Sequence, residues 1–413
     1  MDDLVVGLDI GSTKVCAVIG EINPQGKLEI TGVGISPSTG VKKGVVTNIE
    51  ATLRSVVSAI EEAEMMSGRE VKTCWTGIGG SHIEGISSRG VVAVTGRNNG
   101  NREITKDDLD RVLEAAKAIV IPMDRQILEV IPQHFIVDGQ RGIRDPLDMI
   151  GVRLEAEVHI ITCSGTGAQN IAKCVQRARF SVNDLILQSM AAAQSVLTAD
   201  EKELGVVLID LGGGTTDVLV YSEGVPYATA SIAAGGVQVT NDISIMKNIS
   251  FDTADKIKME AGCCWKPFLE ADDDIIVPGV GGRPPLAIPK SQILEIIKPR
   301  MEEIFKMVRE ELEKISLPRP LGGGIVLTGG GAMLSGAAEL ASSIFNLPAR
   351  VGTPFPMGGL IEEYRNPGYS TAVGLVLLAY EREGKNIVVS GHETVQRESL
   401  VTRVLDWFKK EFF

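Results

Sequence analysis

VVGLDIGSTKVCAVIG, from Val5 to Gly20, decides how this chain is read: an apolar run, an aspartate, a glycine turn with hydroxyl residues, then a second apolar run. The arrangement returns in the second half as VVLIDLGGGTTDVLVYSEG, from Val206 to Gly224, with Asp210 in the place of Asp9. Each copy has the pattern of a β-hairpin. A third glycine turn, Gly329-Gly330-Gly331, follows the apolar run GIVLTGG and leads into Ala332-Met333-Leu334. One such segment alone would be ordinary turn chemistry. Two copies with aspartates in register, plus the third turn, favour a binding site. The pattern predicts a nucleotide gripped between two similar domains. Glycine lets backbone N–H groups approach phosphate oxygens closely. The carboxylates of Asp9 and Asp210 at the strand ends would hold a hydrated magnesium ion.

The 413 residues predict two or more domains. Aromatic residues make up only 4%, so the core must be built from Val, Ile, Leu and Ala. A net charge of −12 argues against a general nucleic-acid surface, which needs clustered basic groups. The six cysteines form no CxxC pair, and only Cys263 and Cys264 are close, so reduced thiols of a cytosolic protein are expected. The acidic start MDDLVVGLDIG enters a strand at once and does not read as a signal peptide. No apolar run reaches the length of a spanning helix. His82, His134, His159 and His392 are scattered without ligand spacing, and no Ser-His-Asp or Cys-His set is readable.

Along the chain, residues 4–36 read as three strands. A helix is predicted over about 48–67, with Thr47-x-x-Glu50 as its capping box and Ile49, Leu53, Val56, Val57 and Ile60 as its apolar stripe. The texture changes over 83–162, which holds short strands and one helix striped by Leu109, Val112, Leu113, Ala116 and Ile119. This segment reads as a small inserted α/β domain. Strands at 205–211, 215–222 and 226–234 repeat the opening, followed by helices near 236–248 and 252–262. DDDIIVPGVGGRPPLAIP reads as a strand and a rigid Gly/Pro loop. An amphipathic helix over 290–315, a strand at 324–328 and helices near 337 and 369–381 follow. The polar stretch 383–398 reads as a tether.

The duplication implies an α/β fold of two ribonuclease-H-like domains around a cleft. DIGSTK, IDLGGGTTD, LTGGGAMLSG and STAVGL resemble the five-motif nucleotide site of the actin and heat-shock chaperone superfamily. The insert after about residue 82, the loop VPGVGGRPP and the amphipathic C-terminus narrow the resemblance to the bacterial FtsA family, over essentially the whole chain. The division expected is an actin-like core domain of 1–82 with 163–200, an insert of 83–162, a second core domain of 201–236 with 321–382, a small lid-like domain of 237–320, a linker of 383–398 and a membrane-targeting helix of 399–413.

That resemblance implies ATP and magnesium as ligands. Asp9 matches the first phosphate-loop aspartate, acting through magnesium-bound water, with Asp210 as the second magnesium-side carboxylate. Gly11, Ser12, Thr13 and Lys14 would cradle the β- and γ-phosphates, Lys14 adding a positive point charge. Gly212, Gly213, Gly214, Thr215 and Thr216 would form the opposing loop. Asp217 reads either as a partner of the attacking water or as a charge that holds the turn. Gln188 falls where the superfamily orients that water, although a helix-terminal residue satisfying local amides fits as well; an amide is a weak base. Gly235 and Gly236 resemble the turn beside ribose and phosphates. Lys258 and Glu260 resemble a pair near the adenosine, on a stretch that also suits a solvated helix face. Gly329, Gly330, Gly331 and Met333 should pack on the adenine.

The end of the chain, SLVTRVLDWFKKEFF, places Leu400, Val401, Val404, Leu405, Trp407, Phe408 and Phe412 on one helical face, and Thr402, Arg403, Asp406, Lys409 and Lys410 on the other. This is the pattern of a helix lying in a membrane interface, with Lys409 and Lys410 toward lipid heads. Docking on the protein's own surface or on a partner is the competing reading.

The family resemblance implies an ATP-binding protein, at most a slow ATPase, that polymerises at the membrane and tethers the FtsZ ring. Its expected partners are FtsZ, other copies of itself, anionic lipid and later divisome proteins, with no nucleic acid. Its expected place is peripheral, on the cytoplasmic face of the inner membrane at the division site. A small-molecule kinase of the same superfamily is the alternative, but it needs a substrate pocket and has no use for an amphipathic tail. A chaperone ATPase would need a peptide-binding domain for which no residues remain.

Overall fold

The computed structural model describes residues 4–94, 102–269, 272–277 and 284–383. Two five-stranded sheets share one topology. In the first, Leu4–Ile10, Lys14–Ile22 and Leu28–Pro37 form an antiparallel meander, and Thr73–Ile78 and Ser181–Leu187 extend it in parallel from the other side of Leu4–Ile10. In the second, Val206–Leu211, Thr216–Ser222 and Val225–Ile232 form the meander, extended in parallel by Ile325–Thr328 and Ala349–Val351. The strands at the centres of both sheets are buried on both faces, which explains their unbroken apolar runs.

Helix Ile49–Ser67 covers the first sheet over the predicted span, but its cap differs from the sequence expectation and its buried face is wider than the predicted stripe. The N-cap is Asn48, whose side chain accepts the Ala51 amide, whereas the Thr47 hydroxyl donates to the Gly40 carbonyl. An asparagine oxygen in extended backbone caps as well as a capping box does, and here it sits one residue closer. The fully buried face is Ala51, Thr52, Ser55, Val56, Ala59, Ile60 and Ala63; Ile49, Leu53 and Val57 flank it half-buried. Small side chains win because Gly32 and Gly34 of the underlying strand bring the two backbones together.

Residues 84–164 form a separate four-stranded sheet of Gln140–Ile143, Arg125–Val137, Arg153–Ser164 and Glu84–Ala93. Helix Lys106–Lys117 packs on it through Leu109, Val112, Leu113 and Ala116, as its periodicity predicts. This sheet also leans on the second five-stranded sheet: Gln133 Nε2 donates to the Tyr227 carbonyl at 2.9 Å, and His159 Nε2 lies 3.1 Å from Thr229 Oγ1. Nothing in the sequence marks that contact.

Helices Gly236–Lys247, Phe251–Ala261 and Lys290–Glu313 share a continuous core with the second sheet, joining Val239, Ile243, Ile257, Ile297 and Phe305 to Val207, Ile209 and Val218. Two further helices, Gln188–Val196 and Ser370–Arg382, pack directly on each other and connect the sheets. At the end of the second, buried Arg382 pairs with Glu129 at 2.7 Å and Asp184 at 2.9 Å, tying this helix to both the four-stranded sheet and the first sheet. All six cysteines are buried free thiols.

No helix among the described residues is long and apolar enough to cross a membrane. The interior of the VPGVGGRPP loop, residues 278–283, and the tether and amphipathic stretch from 384 onward lie outside the described residues.

Candidate functional site

Both hairpins end in the turns that the repeated pattern predicts. In the first, the Gly11 amide donates to the Lys14 carbonyl at 2.9 Å, and Asp9 stands opposite Cys16. In the second, Asp210 stands opposite Asp217. The repeat is therefore unequal: the second hairpin has a carboxylate where the first has a thiol.

The two turns face each other across the cleft in a reciprocal way. A Cβ placed on Gly213 would come 2.3 Å from the Thr13 side chain, and one on Gly214 would come 2.6 Å from Ser12 Oγ. Thr215 Oγ1 donates to Asp217 Oδ2 at 3.0 Å, and Thr216 Oγ1 to the Ala234 carbonyl at 2.8 Å, so both hydroxyls hold the second turn in shape. The amides of Gly236 and Val237, at the start of helix Gly236–Lys247, donate to the carbonyls of Gly212 and Gly213 at 2.9 and 2.8 Å. Gly235, the helix N-cap, thereby lies against the same turn.

Burial governs the electrostatics beneath these turns. Asp9 is pushed up to about 6 by burial, against the pull of nearby Lys14 and of the amide of Gln188, which donates to Asp9 Oδ1 at 2.7 Å. Asp210 is pushed up to about 7 by burial and by the charges of Asp217 and Asp9, while Thr371 donates to it at 3.2 Å. Burial raises Asp217 and lowers Lys14. Lys14 Nζ rests 3.7 Å from the centre of the Tyr369 ring.

Asp9 and Asp210, the two carboxylates that the sequence assigns to magnesium, lie near enough for the charge of Asp9 to raise Asp210. No cluster of three side chains that could hold a metal is present among the described residues, so a cation here would need water or phosphate oxygens among its ligands.

The third turn closes on the second hairpin from the side. The Gly329 amide donates to the Pro367 carbonyl at 3.1 Å, and a Cβ on Gly331 would meet Leu211 at 2.8 Å. Gly330 has nothing within 4 Å of its Cβ position, and Met333 is 59% exposed, so this turn presents an open ledge. Lys258 does not reach out from it. Its ammonium donates to Asp255 Oδ1 at 2.6 Å, Thr240 Oγ1 at 2.7 Å and the Gly236 carbonyl at 3.3 Å, stapling the start of helix Gly236–Lys247. Glu260 is exposed on the neighbouring helix.

The sequence points to Ser370 and Thr371 through the STAVGL motif but gives no sign of Pro367 and Tyr369 just before it. Pro367 and Ser370 accept from Thr328 Oγ1 at 3.4 and 2.7 Å, Tyr369 lies against Lys14, and Thr371 holds Asp210. One short stretch thus touches the third turn, Lys14 of the first and Asp210 just before the second. Pro367 and Tyr369 carry no charge and match no motif, so residue order alone does not bring them to the site.

The raised carboxylates make a testable prediction. Their ordinary value is 3.8, so in the nucleotide-free protein the protonated forms stabilise fully below that pH, and the contribution is lost as pH rises through about 6 to 7. Asp210→Asn should raise the melting temperature at pH 8 by the equivalent of roughly 1–3 kcal/mol and flatten the pH dependence between 4 and 7. Thermal melts across that range check it; an unchanged profile would show that Asp210 is not under this stress.

The fold and the paired turns define an actin-like protein, with an additional inserted sheet. The chain belongs to the FtsA family of cell division proteins. Residues 207–374 match the family described as cell division protein FtsA, and residues 80–162 match the SHS2 domain inserted in FtsA. The chain is 45% identical to cell division protein FtsA of Borreliella burgdorferi, covering 100% of this chain and 99% of that protein. It is 43% identical to FtsA of Pseudomonas aeruginosa, covering 99% and 98%, and 37% identical to FtsA of Escherichia coli K12 with the same coverage. Among solved structures, a chain of the PilM–PilN type IV pilus biogenesis complex superposes with a TM-score of 0.66 at 17% identity, covering 91% of this chain and 98% of that one. MreB5 of Spiroplasma citri bound to ADP gives 0.55 at 16%, covering 93% and 98%. These two distant likenesses bear on the fold alone.

Proposed function

We propose that this chain binds ATP with magnesium between the three turns, assembles into actin-like filaments on the cytoplasmic face of the inner membrane, and tethers the FtsZ ring there, recruiting later divisome proteins. The observation that carries the reading is the reciprocal facing of the two glycine turns above Asp9 and Asp210. Phosphates would lie between Gly11–Lys14 and Gly212–Thr216, with Lys14 leaving the Tyr369 ring for a phosphate oxygen. Asp9 and Asp210 would hold the magnesium ion through water; when bound, it neutralises phosphate and carboxylate charge together. The open ledge at Gly330 and Met333 would receive the adenine.

Gln188 positions rather than activates. Its amide is pinned between Asp9 and the strand end, where a Cβ on Gly79 would come 2.0 Å from its Oε1. An amide held this way orients water but takes up no proton, so any hydrolysis is slow. The division of labour we infer gives nucleotide to the two core domains, 1–82 with 163–200 and 201–236 with 321–382. It gives FtsZ contact to 237–320, filament and divisome contacts to 83–162, and membrane attachment to 399–413 through the tether 383–398.

Gly330→Leu tests the site cleanly, because the added side chain enters open space instead of protein. The variant should keep the wild-type melting temperature and lose ATP binding in calorimetry by about a hundredfold or more, as a branched side chain occupies the base ledge. Gly213→Val is a poorer probe, since it would strike Thr13 whether or not a phosphate is present. Undiminished affinity in Gly330→Leu would sink the proposed placement of the base.

A further inference from the structure

Between the first sheet and helix Ile49–Ser67 the chain makes a two-residue hairpin, with Val41 opposite Val46 and Lys42 opposite Val45. Its loop residues, Lys43 and Gly44, have φ of 51° and 77°. Two successive positive φ values mark a turn in which Asn-Gly is the low-strain choice. A lysine in the first position is a costlier choice, which calls for a reason.

The turn lies over the cleft. The Gly44 amide donates to Ser12 Oγ at 3.1 Å. The Lys43 amide nitrogen is 2.9 Å from the Cβ position of Gly214, and the Lys43 carbonyl is 2.9 Å from that of Gly80. The Lys43–Gly44 turn thus lies against both glycine turns by way of its backbone, Gly44 on Ser12 of the first and Lys43 beside Gly214 of the second.

Charge supplies the reason. Asp9, Asp210 and Asp217 crowd the site, and a triphosphate adds more negative charge than one divalent cation cancels. Lys14 is the cation held inside, and Lys258 is spent on Asp255 and Thr240. The exposed Lys43 ammonium has no ion-pair partner among the described residues, in a protein where many other surface cations do. Its flexible stem lets it swing over the cleft.

We infer that Lys43 is a second phosphate-binding cation, carried on a strained turn that roofs the cleft, and that it takes the terminal phosphate of a nucleoside triphosphate. This rests on the nucleotide reading above. The ordinary alternative is a surface lysine that serves only solubility.

Lys43→Asn separates the two, because asparagine suits the turn's backbone while removing the charge. Calorimetry with magnesium should show ATP affinity lowered about tenfold, as one charge-assisted hydrogen bond is lost, with ADP affinity changed less than about twofold. The melting temperature of the nucleotide-free protein should be unchanged or higher, and Lys43→Arg should keep ATP affinity within about threefold of wild type. Equal ATP affinity in Lys43→Asn and wild type overturns the inference, as does an equal loss for ATP and ADP. If folded wild-type protein binds neither nucleotide, the nucleotide reading itself has failed.

Discussion

A Trp407→Glu variant of the full chain should remain in the supernatant when anionic vesicles are pelleted, while wild type co-sediments. Burying Trp407 with Phe408, Phe412, Leu400 and Leu405 in the interface favours binding by roughly 1.5–3 kcal/mol for each fully buried side chain. Partial burial and the cost of ordering a helix reduce that sum to several kcal/mol. A charge among the apolar groups removes most of what remains. Several copies on one filament would multiply a weak single attachment, so the loss should look all-or-none. Lys409→Glu with Lys410→Glu should weaken binding to anionic vesicles only, and added salt should act alike. ATP affinity should not move in any of these variants. If the helix instead docks on the protein's own surface, Trp407→Glu will lower the melting temperature and leave sedimentation unchanged.

Gly374→Val should be the most destabilising single substitution proposed for the folded body. Gly374 lies in helix Ser370–Arg382 where it crosses helix Gln188–Val196, and a Cβ there would sit 1.7 Å from the Ala191 carbonyl oxygen and 2.3 Å from its carbon. Neither helix can yield cheaply, since Ala191, Ala372, Val373 and Leu375 are fully buried around the crossing. Backbone meets backbone, so no rotamer change relieves the clash. Forcing the helices apart should cost about 3 kcal/mol or more, a fall of roughly 3–4 °C or more in melting temperature for a chain of this length. Nucleotide affinity should fall with it, because the same helices carry Gln188 and Thr371 to Asp9 and Asp210. A melting curve that matches wild type would mean that the crossing is not as close as described.

Much of this architecture was legible before any coordinates. The two hairpins, the third glycine turn and most of the long helices follow from period and turn chemistry, which are local properties. The stripe of helix Ile49–Ser67 finds Val56 and Ile60 in the core with Leu53 and Val57 packed at its edge, but it omits the small residues Ala51, Ala59 and Ala63, which close packing on Gly32 and Gly34 rewards and hydrophobic periodicity underweights. Asn48 displaced the Thr47 capping box for an equally local reason, a difference of one residue that pattern matching does not resolve.

The pairing of Asp9 and Asp210 with glycine turns follows from residue order alone, because each hairpin is built within one short stretch. The parts of the site that stayed hidden come from far along the chain. Lys258 turns inward to staple a helix, Thr371 and Tyr369 reach back to Asp210 and Lys14, and the turn of a separate small hairpin sets Gly44 against Ser12. Hairpin and helix depend on neighbours in sequence. Which carboxylate is crowded and which lysine is spent depends on distances between segments that only folding brings together.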